Sequence, residues 1–264
     1  MRDPNFEQVL EQVGGVRALA RAIGVSQPAV SMWRRIPAER IIEIETATGI
    51  HRSRLRPDLY EQPSSTMSQK PIDDVDEGRA AEYALLGLLL WRAPDAATLK
   101  ALASIKGDAS PIGLAHVELG LLAAQTTPEQ AEREFFNLFI GLGRGELLPY
   151  ASYYLTGFLH ERPLARVRED LAALGAERDA ASSEPEDHIA VLCETMAGLI
   201  RGDFASDAAP GFNEQAFFER HLSRWAGRFF VDLETAKEAR FYRGVGRLGR
   251  IFLDIEAEAF ALPA

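Results

Sequence analysis

Helix punctuation is the feature that most constrains this chain. The stretch "TPEQAEREFFNLF" (127–139) offers Thr127 as N-cap, Pro128 at the first helical position and Gln130 to close a capping box. "RPLARVREDLAALG" (162–175) has Pro163 to open a helix and Gly175 to stop it. "SEPEDHIAVLCETMAGLIRG" (183–202) offers Ser183 or Glu184 as cap, Pro185 in the first turn and Gly202 past the end. Sustained period-2 alternation and Asn-Gly hairpin signals are missing, so the expected fold class is all-α.

The helices do not form one continuous pattern. "EQPSSTMSQKPIDDVDEG" (61–78) collects Pro, Ser, Gln and Asp with almost no apolar periodicity, which is linker composition. It divides the 264 residues into an expected small domain at 1–60 and a larger one at 79–264. Within the seam, "MSQKP" from Met67 has the look of a start of translation, as a joined pair of genes would leave. Charge divides with the chain: residues 1–66 carry nine basic and eight acidic residues, whereas the remainder is at −11. The first part tolerates DNA; the second repels it and favours a basic partner. Cys193 is the only cysteine, which rules out an internal disulfide and fits a reducing compartment. The longest greasy run, "YALLGLLLW" (83–91), is too short to span a bilayer, and the N-terminus has no apolar signal core. A cytoplasmic protein without membrane insertion is expected.

"VRALARAIGVSQPAVSMWRR" (16–35) has helix–turn–helix spacing. Ala20 is small where two helices must touch, Gly24 supplies a turn residue tolerant of positive φ, and Ser26 is placed to cap the second helix. Val25, Val30 and Trp33 point into a small core. Gln27, Pro28, Ala29, Ser31, Met32 and Arg34 then form the outer face of a recognition helix. Gln27 suits adenine in the major groove, while Arg34, Arg35 and Arg40 suit phosphates. With "ATGIHRSRLRPDLY" (47–60) following, this half resembles the small Cro/YdaS-like repressors over about 50 residues. The resemblance implies binding to operator DNA. A net charge of +1 makes a monomer a weak binder, so a homodimer would be needed; a bundle that has lost its DNA contacts is the competing reading.

In the second half, "EREFFNLFIGLGRGELLPYASYYLTG" (132–157) ends in Pro149-Tyr150-Ala151-Ser152-Tyr153, and "EPEDHIAVLCETM" (184–196) follows about 30 residues later. In that order the two motifs resemble the TorD/DmsD family of redox-enzyme maturation chaperones, the likeness running from about Arg79 to Phe260. The resemblance implies an all-helical, non-enzymatic protein that binds the twin-arginine signal peptide, and often the apo body, of a molybdenum or tungsten oxidoreductase. The tail "YRGVGRLGRIFLDIEAEAF" (242–260) is closest to members associated with formate dehydrogenases. No cofactor of its own is implied, although transient contact with the client's molybdenum cofactor is compatible with the role.

The chemistry fits that partner. Two guanidiniums ask for carboxylates placed for forked hydrogen bonds, beside an apolar groove. Glu184, Glu186 and Asp187 are expected in the N-terminal turn of one helix, stabilised by its dipole, with Asp187 anchoring an arginine. His188 would line the groove, Met196 would extend its face, and Tyr150, Ser152 and Tyr153 would shape the opposite wall. Ordinary helix capping explains first-turn acids equally well without the family likeness. Adjacent "EDH" residues point in different directions and make a poor metal site, and no nucleophile accompanies Asp187 and His188 for acid/base catalysis. Cys193 on an apolar helix reads as an inert core thiol. "GLGRGE" (141–146) lacks the Lys-Ser/Thr of a P-loop and reads as a tight turn. The rival function is a transcription regulator whose second half senses client or signal peptide.

Overall fold

The computed structural model describes residues 3, 6, 9–10, 13–25, 27–48, 50, 52–56, 59, 72–176, 184–204 and 212–262, the side chains of Pro28, Glu39, Ser53 and Arg54 excepted. Met67, Ser26 and Ser183, and most of the 61–78 seam, lie outside the described residues. The chain separates into two compact units, 1–70 and 71–264.

In the first unit, α1 (Val16–Ala22) and α2 (Gln27–Met32) are joined by a turn in which Gly24 has φ +69°, where a side chain would be strained. A short 3-10 turn (Ala38–Arg40), α3 (Ile41–Thr48) and α4 (Arg52–Leu55) follow. Leu19, Ala20, Val30, Ile36, Ile41, Ile44 and Leu55 form the core, with Val25 and Trp33 packed at its edge. Arg56 reaches back to donate to the Ile36 carbonyl at 2.6 Å, closing the unit.

The regular elements among the described residues of the second unit are helices. It comprises α5 (Asp74–Trp91), α6 (Ala96–Ala103), α7 (Pro111–Ala124), α8 (Pro128–Phe135), α9 (Ala151–Thr156), α10 (Arg162–Ala173), α11 (Ile189–Arg201), α12 (Glu214–His221), α13 (Ala226–Thr235) and α14 (Phe241–Ala261). The expected Thr127–Gln130 capping box is present on α8, which runs into a π-helical turn at Phe136–Ile140. The expected linker ends early. Asp73 caps α5 by accepting from the Asp76 N–H at 2.8 Å, and Asp74, Asp76 and Glu77 sit in a first turn that favours acids.

Helices α5 and α11 pack along each other. A Cβ at Gly87 would stand 3.2 Å from the Ala190 carbonyl oxygen, so glycine sets the close approach of the two. The aromatic-rich run at 215–230 is core, burying Phe217 and Phe218 on α12, Phe229 and Phe230 on α13, and Trp225 at the start of α13. Long-range polar contacts hold the arrangement. Glu134 accepts from the backbone N–H groups of Arg240, Phe241 and Tyr242 at 2.6–3.1 Å, satisfying donors that the start of α14 leaves open. Arg79 forks onto Glu256 at 2.7 and 2.9 Å, tying α5 to α14. Arg247 and Arg250 pair with Glu118 and Glu234.

Candidate functional site

The two motifs of the second half meet through their backbones. Tyr150 and His188 form an isolated antiparallel bridge, with the Ile189 N–H donating to the Pro149 carbonyl at 2.8 Å and the Ala151 N–H to the Asp187 carbonyl at 3.0 Å. Each donor is the first N–H of a helix, α9 or α11, which would otherwise lack a partner. The bridge therefore joins two helix starts and fixes the intervening side chains.

The expectation that the acids occupy the first turn of α11 is corrected here. The helix begins at Ile189, and its cap is His188, whose Nδ1 accepts from the Ala190 N–H at 3.1 Å. Glu184, Pro185, Glu186 and Asp187 precede it, and the first turn holds no acid. Capping at Nδ1 puts the ring proton of the neutral imidazole on Nε2. Burial pushes the His188 pKa down to about 4.

Asp187, expected to anchor an arginine, is fully buried. Its Oδ2 accepts from the Ser152 N–H at 2.8 Å and the Ser152 hydroxyl at 2.5 Å. Its Oδ1 is buried with no hydrogen-bond partner among the described residues. A buried carboxylate oxygen left unpartnered is costly, and it is the group a guanidinium would satisfy best.

Around this carboxylate, Glu184 accepts from the Tyr150 hydroxyl at 2.5 Å, and the His188 ring stands edge-to-face with Tyr150 at 5.1 Å between centroids. Burial and Glu184 raise the Tyr150 phenol well above its ordinary value. Glu186 instead accepts from Arg168 Nε of α10 at 2.8 Å. The structure thus gathers Tyr150, Ser152, Glu184, Asp187 and His188. Tyr153 is turned elsewhere: its hydroxyl accepts from Arg144 Nη2 at 2.6 Å, with the guanidinium over its ring. Met196 is fully buried in the core and lines no groove. Sequence reasoning missed Trp91, whose ring lies edge-on to His188 at 5.8 Å and is 42% exposed. It also missed Arg168. The Trp closing an apolar run was a usable signal; an Arg in a charged helix was not.

The other candidates are structural. Gly145 in the "GLGRGE" turn lies against the Phe139 backbone, where a Cβ would come within 2.5 Å, and Glu146 accepts from the Lys237 and Glu238 N–H groups. Burial raises the Cys193 thiol pKa, consistent with an unreactive core thiol. Among the described residues no cluster of His, Cys, Asp or Glu is arranged to hold a metal ion, and no helix is long and apolar enough to cross a membrane. In the first unit, Gln27, Ser31, Met32, Arg34 and Arg35 are exposed on and just after α2; the Pro28 side chain lies outside the described residues. Arg40, expected to suit a phosphate, donates to both carboxylate oxygens of Glu43 (2.7 and 2.9 Å).

Comparison with known proteins agrees with this division. Residues 105–231 match the family model described as nitrate reductase delta subunit, and residues 6–64 match that described as bacterial toxin YdaS. The chaperone protein TorD of Shewanella loihica is 25% identical over 218 residues, covering 73% of this chain and 99% of that protein. The TorD of Vibrio cholerae O1 El Tor is 29% identical over 126 residues, covering 46% of this chain and 57% of that one. A crystal structure of a candidate redox enzyme maturation protein from Archaeoglobus fulgidus aligns with a TM-score of 0.47 at 25% identity, covering 75% of this chain and 99% of that one.

Proposed function

We propose, from the likeness of residues 79–260 to the TorD chaperones, that this chain is a maturation chaperone for a redox enzyme and not itself an enzyme. Its ligand is the twin-arginine signal peptide of a molybdenum or tungsten oxidoreductase, held in the cytoplasm until the client is complete. The formate-dehydrogenase-like tail at 242–260 favours that client.

The observation that carries the reading is Asp187 Oδ1, buried and unpartnered beside a helix start. A peptide guanidinium donates to it, while Glu184, three residues before it, and Glu186, directly before it, supply further negative charge. Because Asp187 is fully buried, binding requires local opening around it. An arginine that also reaches Glu184 would replace its hydrogen bond from the Tyr150 phenol by an ion pair.

The test is fluorescence anisotropy of a labelled twin-arginine leader titrated with the full chain. Binding at micromolar concentration or tighter, weakened about tenfold or more by lysine in place of both arginines, supports the reading. Equal affinity for both peptides refutes it.

A second role rests on the first unit. The exposed Gln27, Ser31, Met32, Arg34 and Arg35 and the match to the YdaS model favour DNA binding, with the second unit sensing client. An operator fragment whose affinity changes on adding peptide establishes that coupling; by linkage the peptide's affinity must then change by the same factor.

A further inference from the structure

Helix α10 is held beside the site by two ionic latches and little packing. Of its twelve residues only Leu164 and Val167 are buried, against eight of thirteen in α11, so its attachment is weak for its length. Its chief helical neighbour is α9, which carries Ser152. Arg168 Nε donates to Glu186, the residue before Asp187, so α10 adjoins both segments that bury the Asp187 carboxylate. Asp170, two residues on, faces the opposite side of the helix. There α10 stands across a cleft of about 290 Å³ lined by Arg166, Glu169, Asp170 and Arg220. Asp170 bridges the cleft, accepting from Arg220 Nη1 at 2.7 and 2.8 Å and from His221 Nε2 at 2.6 Å. Left-handed backbone bounds the helix: Gly157 (φ +84°) and His160 (φ +61°) precede it and Gly175 (φ +69°) follows it. Rotation at these few residues can move the helix as one body.

We infer that α10 is a strap over the site: closed, it keeps Asp187 buried and holds Arg168 on Glu186 where a ligand guanidinium would sit; released at Asp170, it uncovers the carboxylate. The inference rests on the peptide-binding reading above and supplies the opening which that reading requires. Closure leaves Asp187 Oδ1 as a buried acceptor without a partner, which an arriving arginine satisfies. Arg168 competes with that arginine from inside the molecule. Apparent affinity then follows the fraction of molecules whose strap is open. The Asp170 latch, on the face of α10 away from Glu186, therefore sets the affinity without touching the ligand.

The experiment uses the full chain in three forms. These are wild type, Arg220→Gln, which loosens the latch but leaves the His221 hydrogen bond to Asp170, and the double variant Asp170→Cys with Arg220→Cys. The last is closed by a short, reducible thiol cross-linker, to which the fully buried Cys193 is inaccessible. Against a labelled twin-arginine peptide, Arg220→Gln should bind about two- to fivefold more tightly, through a faster on-rate at an unchanged off-rate. The cross-linked protein should bind at least about tenfold more weakly than the same protein after reduction. Hydrogen exchange supplies an arm that needs no peptide. A released helix of twelve residues is marginal in water, so α10 amides should exchange faster than those of α11, and faster again in Arg220→Gln. Equal affinity in the cross-linked and reduced forms overturns the strap, as do α10 amides protected as well as those of α11 in both wild type and Arg220→Gln. If preference for arginine over lysine peptide persists in either case, peptide binding stands and only the strap falls. If wild type shows no such preference, the peptide reading falls, and exchange at α10 still decides whether the strap opens.

Discussion

Replacing His188 by asparagine should make the second unit less sensitive to acid. The imidazole is buried, its Nδ1 is occupied by the Ala190 N–H, and its pKa is held at about 4 against an ordinary 6.5. The fold accommodates only the neutral ring, since protonating Nδ1 breaks the cap. Stability from this group is therefore complete above pH 6.5 and is lost as pH falls from there toward about 4. The whole interval corresponds to about 3 kcal/mol, a large share of a domain's stability. Asparagine is also a good N-cap and does not titrate, but it forfeits the ring contacts with Tyr150 and Trp91, about 1–2 kcal/mol at every pH. The wild type should be the more stable protein at pH 7, and the order should invert between about pH 5 and 6. Denaturant titrations followed by Trp91 and Trp225 fluorescence at several pH values measure this. Parallel pH profiles for the two proteins would refute the reasoning, because His116 and His221 titrate in both and cancel in the difference.

Glu134→Gln should lower stability by about 2–4 kcal/mol in calorimetry, since a neutral amide cannot accept equally well from the three N–H groups at the start of α14. Gly249→Ala should cost about 1–3 kcal/mol in the same assay, because the added methyl would lie 2.2 Å from the buried Phe230 ring. Arg168→Gln should strengthen peptide binding about two- to fivefold by removing an internal guanidinium from Glu186, an effect that shrinks with added salt. Unchanged affinity would mean Glu186 plays no part in the site.

Local chemistry made much of the fold legible. Thr127, Gln130, Gly24 and Gly202 act at their own positions, and the burial of Phe217, Phe229 and Phe230 follows from helical spacing. The candidate site was legible as a pairing of motifs, and Tyr150, Ser152, Glu184, Asp187 and His188 do gather. The start of α11 was not legible. Pro185 and the acids look like a first turn, but the Pro149 carbonyl takes the Ile189 N–H from another segment and shifts the helix to begin after His188. The burial of Asp187 was hidden for the same reason, because its Ser152 donors lie 35 residues away. Trp91 joins the site only through the close approach at Gly87, which no local pattern encodes.

The central claim is that Asp187 Oδ1 receives an arginine of the client's leader. Isothermal titration of twin-arginine and twin-lysine peptides into wild type and Asp187→Asn tests it most directly. Circular dichroism would confirm that the variant keeps its helices, and its remaining carbonyl oxygen can still accept from Ser152. The account predicts that the variant loses at least about tenfold, ~1.4 kcal/mol, for the arginine peptide and much less for the lysine peptide, so that discrimination between them collapses. A folded Asp187→Asn protein that still prefers arginine by the wild-type margin would contradict it.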